Sequence, residues 1–377
     1  MGCASPAKVL LLIPHLGGGG AEHVIATLAR CLSREKYELH LGLITQSLRD
    51  SFQARKDLPN SIHVYALGST RVRVSAWRLL KLVWQLKPAV ILSGMANLNL
   101  LVLMLRPFFP ARTRVFVRQN GALSATLEAL GSPRISRVFF RLGYRRADRV
   151  ICQTNSMAKE LRDDLGVDHA KLIVLPNPVD ILGIRASTSH LTNGAHQPCP
   201  QLLAVARLAP EKGIDLLLEA FAGIKDEFPL VDLHIAGVGP CESALKTQCR
   251  KLKIDGRVKF LGLVEFPARL FRRDSTFVLS SRHEELPNAL LEAGAAGLPI
   301  VATPASRGLS DLLQDKPGVW LASEISVEAL EHALSDALTC IHPGQRFPHS
   351  WVEPFDLKRA IQAYEGEIDR ALLERRT

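Results

Sequence analysis

Short unbroken apolar runs alternate along this chain with longer stretches in which apolar residues recur every three or four positions. The runs Lys8–Pro14, Glu38–Leu43, His63–Ala66, Ala89–Leu92, Arg114–Val117, Arg149–Cys152 and Lys171–Leu175 predict strands, most of them buried on both faces. The periodic stretches about Ala21–Leu32, Ala76–Leu86, Leu98–Leu105, Ser136–Arg145 and Ser156–Leu165 predict the helices between them. Periodicity then stops: the segment RASTSHLTNGAHQPCP before Gln201 is polar and rich in Ser, Thr, Asn and Pro, as an interdomain linker is. Alternation restarts with strands Gln201–Ala206, Val231–Ala236, Arg257–Phe260, Thr276–Leu279, Leu298–Ala302 and Val319–Leu321. Helices Glu211–Lys225, Glu242–Leu252, Phe266–Phe271, Val327–Leu338 and Asp356–Leu373 accompany them, with another starting at Pro287. Such alternation implies doubly wound α/β sheets, here twice in tandem: residues 1–180, a linker over 181–200, residues 201–355, and a last helix over 356–377. The expected ligand site is a cleft between the two domains.

Composition narrows the setting. No segment of the 377 residues approaches the roughly 18 uninterrupted apolar residues of a membrane span. Pro14 and His15 cut the first apolar run, so it is not a secretory signal. The seven cysteines are scattered without a CxxC pair, which argues against a disulfide framework or a zinc site and for a reducing compartment. A cytoplasmic location is expected. Net charge is +10, unevenly spread: residues 1–190 hold 26 Lys and Arg against 12 Asp and Glu, residues 191–377 hold 21 against 25. The basic half suggests an anionic partner, and a membrane surface is the one expected. Helix Ser75–Gln85 carries Trp77, Leu80 and Trp84 with Arg78 and Lys81, and Arg137, Arg141, Arg145 and Arg146 surround Val138-Phe139-Phe140, which suits a peripheral position on an anionic bilayer.

Four places carry candidate chemistry. Gly17, Gly18, Gly19 and Gly20 join the first strand to the first helix, where glycine lets backbone approach a ligand and a helix N-terminus favours phosphate. Arg207 and Lys212 flank the turn after the second domain's first strand, placed to clamp a pyrophosphate. Gly237 and Gly239 follow a later strand. Ser280–Thr303 packs a loop, a helix and a strand around Glu284 and Glu292, with the helix N-terminus between the two acids as an anion seat. No HExxH or DxD occurs, and no metal is expected.

These pieces, taken in order with Leu175-Pro176-Asn177-Pro178-Val179-Asp180, resemble a family 4 retaining glycosyltransferase of GT-B fold over nearly the whole chain. The most specific of them is the match to that family's E-x7-E signature, Glu284 through Glu292. The resemblance implies two Rossmann-like domains facing across a cleft, with the last helix crossing back to the first. By the same resemblance Arg207 and Lys212 hold the diphosphate of a nucleotide sugar, and Glu284 faces the sugar while balancing charge at its anomeric carbon. Glu292 bonds the ribose, and the backbone N–H groups of Asn288 and Ala289 meet phosphate or sugar oxygens. Leu286, Pro287, Gly237, Gly239 and Gly17–Gly20 stand with them on the donor side. Gln119 and Asn120 occupy the place where many members carry a histidine, and are acceptor-side candidates. Glu285 departs from the family, standing where a glycine is usual.

The resemblance also implies an activity. A sugar would pass, with retention and without a metal, from a UDP- or GDP-linked donor to a glycan or lipid-linked acceptor in cell-envelope polysaccharide assembly. The nucleotide sugar is a co-substrate, and no cofactor is expected. An epimerase of the same fold is the rival enzyme. A nucleic-acid-binding α/β protein is a poorer rival, because the basic residues are not interleaved with stacking aromatics.

Overall fold

The computed structural model describes residues 5–16, 19–45, 58–69, 72–121, 123, 127, 133–189, 200–264, 266–272 and 274–374. They form two compact units, one of Met1–Pro178 with Lys358–Thr377 and one of Val179–Leu357.

In the first unit, strands β1 (Ala7–Ile13), β2 (Tyr37–Thr45), β3 (His63–Ser69), β4 (Val90–Gly94), β5 (Arg114–Arg118), β6 (Arg149–Cys152) and β7 (Leu172–Val174) make a parallel sheet. Its order is β3-β2-β1-β4-β5-β6-β7. Val9–Ile13 are wholly buried, which is why the central strand reads as a continuous apolar run. Helices α1 (Gly20–Cys31), α2 (Ala76–Leu86), α3 (Ala96–Leu105), α4 (Pro133–Tyr144) and α5 (Asn155–Leu165) connect the strands. The chain reverses direction between β1 and β4, so the tips of these strands form the switch point at which open sheets bind ligands.

The second unit opens with α6 (Ile181–Ser189), inside the stretch whose composition predicts a linker. Asp180 accepts a hydrogen bond from the Gly183 N–H at 2.9 Å, and Ile181, Ile184 and Thr188 face inward at helical spacing. Thr188 Oγ1 bonds the Ile184 carbonyl at 2.9 Å, satisfying inside the helix the polarity that makes this segment look like a loop. Strands β8 (Gln201–Val205), β9 (Asp232–Ala236), β10 (Val258–Gly262), β11 (Ser275–Leu279), β12 (Ile300–Ala302) and β13 (Val319–Leu321) form a second parallel sheet. Its order is β10-β9-β8-β11-β12-β13, reversing between β8 and β11. Its helices are α7 (Ile214–Ile224), α8 (Glu242–Lys251), α9 (Asn288–Ala295), α10 (Arg307–Leu313) and α11 (Val327–Cys340). Helix α10, which periodicity does not predict, is capped by Ser306 and buries Leu309 and Leu313.

The last helix, α12 (Leu357–Leu373), belongs to the first unit from Lys358 onward. Ala360, Ile361, Tyr364, Ile368 and Ala371 give it a buried stripe. Its acids meet the start of β2 and the turn before it: Glu365 accepts from the Ser33 N–H at 2.8 Å, and Asp369 from Tyr37 Oη at 2.5 Å. In the second unit, Val179 pairs on both sides of Asp356, accepting from the Leu357 N–H at 2.8 Å and donating to the Phe355 carbonyl at 2.9 Å.

Candidate active site

At the carboxyl edge of the second sheet, the tips of β8 and β11 bring two predicted residues together. Lys212 Nζ donates to Glu284 Oε2. Both side chains are largely buried, at 20% and 17% exposure, so the pair is screened from water more than a surface pair is. The backbone explains the meeting. Pro210–Lys212 forms a 3-10 turn rather than the first turn of a longer helix, and Gly213 ends it in the left-handed region at φ 59°. A Cβ at Gly213 would strike the Ser280 carbonyl, so only glycine lets the two loops close on each other.

Four further contacts fix the loop carrying Glu284. Arg282 forks onto Asp215, the second residue of α7, at 2.7 and 2.6 Å, and its N–H donates to the Glu211 carbonyl at 2.8 Å. The fork holds Asp215 below the usual carboxylate range. Ser280 Oγ donates to the Lys212 carbonyl at 3.0 Å, and the wholly buried Thr303 donates to the Ser281 carbonyl at 2.6 Å. Sequence reasoning assigns no role to Arg282, Asp215 or Thr303. The available signal is an arginine two residues before the first acid of the signature and an aspartate two residues after a turn glycine.

Arg207 is placed differently from Lys212. It is two-thirds exposed and pairs with Glu211 at 2.5 Å. Burial works against charge on Glu211, but its own backbone N–H and Arg207 outweigh burial and hold the carboxyl below its ordinary value.

Helix α9 starts one residue later than its sequence predicts, with Pro287 at the N-cap position and its carbonyl accepting from the Leu290 N–H at 3.1 Å. Asn288 and Ala289 are half-buried, and Leu286 and Glu285 are buried. Within α9 the half-buried Glu292 loses so much hydration that its carboxyl is pushed up to about 7.

The glycine turn after β9 packs against the Arg207 loop. Cβ atoms at Gly237 and Gly239 would collide with the carbonyls of Ala206 and Leu208. Leu208 N–H donates to the Val238 carbonyl, and Cys241 N–H to the Leu208 carbonyl, both at 3.0 Å. These glycines therefore admit the neighbouring backbone, a close approach that the sequence alone assigns to a ligand. A cavity of about 300 Å³ lined by Phe228, Leu230, Pro299, Leu338 and Ile341 opens at the opposite, amino edge of the sheet.

In the first unit, Gly17 and Gly18 lie outside the described residues. Gly19 is the N-cap of α1, and the Glu22 carboxylate curls back over it, filling the space a Cβ would need. Glu22 is buried and lies 3.5 Å from His15 Nδ1. A carboxylate of the chain itself thus sits at the helix terminus where the glycine tract predicts a phosphate.

Gln119 is buried within the unit rather than presented at its surface: its amide accepts from Tyr144 Oη at 2.6 Å and donates to the Gly121 carbonyl at 2.8 Å. Asn120 accepts from Arg118, an arginine 1% exposed that also donates to Asn177 and, at 3.2 Å, to Tyr364 of α12. One buried guanidinium thereby ties the end of β5 to the junction segment and the returning helix.

Comparison with known proteins bears on this site. Residues 18–181 match the family model described as Glycosyltransferase Family 4, and residues 192–347 match that described as Glycosyl transferases group 1. The chain belongs to glycosyltransferase family 4. The second match contains the Lys212–Glu284 pair and α9. An N-acetylgalactosamine-N,N'-diacetylbacillosaminyl-diphospho-undecaprenol 4-alpha-N-acetylgalactosaminyltransferase of Campylobacter jejuni is 25% identical over 82% of this chain and 84% of its own length. An uncharacterized glycosyltransferase of Methanocaldococcus jannaschii is 24% identical over 63% of this chain. That match spans 61% of the relative's length, less than two thirds of it. Among solved structures, Anabaena HepE in complex with UDP and glucose superposes with a TM-score of 0.78 at 18% identity, covering 96% of this chain and 99% of that one. The architecture is GT-B.

Proposed function

We propose that the chain transfers a sugar, with retention, from a UDP- or GDP-linked donor to a glycan or lipid-linked acceptor in polysaccharide assembly. The observation that carries this reading is the Lys212–Glu284 pair at the carboxyl edge of the second sheet, one short loop from the N-terminus of α9. A glycosyl–phosphate bond breaks through a state with positive charge on the sugar and growing negative charge on the leaving diphosphate. Lys212 meets the diphosphate, and the N–H groups at the start of α9 add donors that need no reorganisation. Glu284, released from Lys212 as the phosphate takes its place, faces the sugar. Arg207 swings from Glu211 to the diphosphate, which its exposure allows. Glu292 bonds the ribose, and with its carboxyl poised near neutrality it can donate as well as accept. In the retaining reading the donor's phosphate oxygen takes the acceptor's proton on the same face of the sugar, so no protein base is required.

The names of the relatives support the reading: the Campylobacter protein's names a diphospho-undecaprenol acceptor, and HepE was solved with UDP and glucose. The test is release of nucleoside diphosphate from UDP- and GDP-sugars with and without lipid-diphosphate acceptors. Acceptor-dependent release supports transfer. Epimerised donor with no acceptor present would replace it with the epimerase.

A further inference from the structure

An ordinary crossover helix buries its tryptophans against the sheet, and α2 does not. Leu79, Leu82 and Val83 form its buried stripe, while Trp77, Lys81 and Trp84 line the outside, with Trp77 75% exposed. Neighbouring α4 repeats the pattern. Phe140 and Tyr144 are buried, and Val138, Phe139 and Leu142 face out among Arg137, Arg141, Arg145 and Arg146. Helix α3 lies between, packed against both. The three surfaces meet at its end: Trp84 Nε1 donates to the Phe108 carbonyl at 2.9 Å, and Arg146 reaches Met104 Sδ at 3.6 Å. Phe108 and Met104 are themselves exposed.

Charge follows the same surface. Residues 58–147, which contain all three helices, hold 14 Lys and Arg and a single acid, Glu128. The ion pairs of this region join Arg106 and Arg114 to Asp148 and Arg149 to Glu374. Among the described residues they leave Lys81, Arg137, Arg141, Arg145 and Arg146 outside.

We infer that the outward face of α2, α3 and α4 is a docking surface for an anionic lipid bilayer. The side chains distinguish this partner from nucleic acid. Val74, Met104, Val138 and Leu142 are exposed and aliphatic; they cannot stack on bases, but they can enter the acyl boundary. Trp77 and Trp84 suit the headgroup layer, where an apolar ring and a polar N–H are both accommodated. The arginines supply attraction to anionic headgroups, and salt weakens it. The surface lies wholly in the first unit and needs neither the donor nor the Lys212–Glu284 pair.

The experiment is flotation of the full chain with phosphatidylcholine vesicles, with and without phosphatidylglycerol, at low salt and at about 0.5 M salt. Flotation is expected only with phosphatidylglycerol at low salt. Two variants are compared, Trp77→Ala/Trp84→Ala and Arg137→Gln/Arg141→Gln/Arg145→Gln/Arg146→Gln. All six positions are exposed, so both should keep the parent Tm, and each should lower binding by about tenfold or more. Absence of flotation at low salt overturns the inference. So does equal binding to neutral and anionic vesicles, unaltered binding by both variants, or retention of a single-stranded oligonucleotide by a chain that ignores vesicles. Since no donor or acceptor is present, none of these outcomes depends on the proposed transfer.

Discussion

Lys212 and Glu284 are 72 residues apart in sequence and ion-paired in the fold, and Gly213 lets their loops meet. If each has its own ligand, phosphate for one and sugar for the other, losing either should stop turnover. Lys212→Ala and Glu284→Ala are each expected to lower kcat by roughly 100-fold or more, with the double variant no more than slightly worse. In urea unfolding, the same four proteins should show a coupling of about 1–2 kcal/mol, between a surface pair and a fully buried one. Zero coupling would show that the pair does not persist in solution.

Gly213→Ala tests the loop geometry itself. The new Cβ meets the Ser280 carbonyl at a backbone angle that disfavours it, so a loss of about 2 kcal/mol is expected, checked by chemical denaturation. Gly256→Ala, where a Cβ meets nothing within 4 Å, is the control.

Glu292 makes stability depend on pH. Below pH 4.5 its carboxyl is protonated in both folded and unfolded chains. From there to about pH 7 the unfolded chain gives up the proton while the folded chain keeps it. Stability therefore falls as pH rises through that window, by about 3 kcal/mol in all. Glu292→Gln removes the penalty. It should match the parent near pH 4 and exceed it at pH 8 in urea melts. A variant advantage that is the same at both pH values would contradict the burial argument.

Arg118 offers a separate test in the first unit. Tyr364→Phe leaves Arg118 Nε without its hydroxyl acceptor, at an expected cost of about 1–3 kcal/mol in denaturant unfolding. An unchanged midpoint would mean that this bond does not tie α12 to β5.

Much of this architecture is legible in the sequence because parallel strands covered on both faces appear as continuous apolar runs; β1 and β4 are the clearest cases. Helix α6 escapes because its inward face is only Ile181, Ile184 and Thr188, and Gly183, Ser187 and Ser189 weaken the helical signal of the rest. The Asp180 cap is its one readable sign. On α2 two apolar stripes share the helical period, Trp77–Leu80–Trp84 and Leu79–Leu82–Val83, and only packing decides that the second is the buried one. Lys212 and Glu284 are legible as chemistry from their motifs. Their pairing is not, because it depends on Ser280, Arg282 and Asp215 meeting across distant segments. Gln119 lies in the right place at a strand end, yet Tyr144, 25 residues on, claims its amide.

The central claim is that a nucleotide sugar binds through Lys212 and Glu284. Its most direct test is the thermal unfolding of the parent and of Lys212→Ala with a panel of UDP- and GDP-sugars. At a donor concentration near 100 Kd, the parent Tm should rise by roughly 5–10 °C for one nucleotide class. The Lys212→Ala Tm should not move. No response of the parent to any nucleotide sugar, or an equal rise in both proteins, would contradict the account.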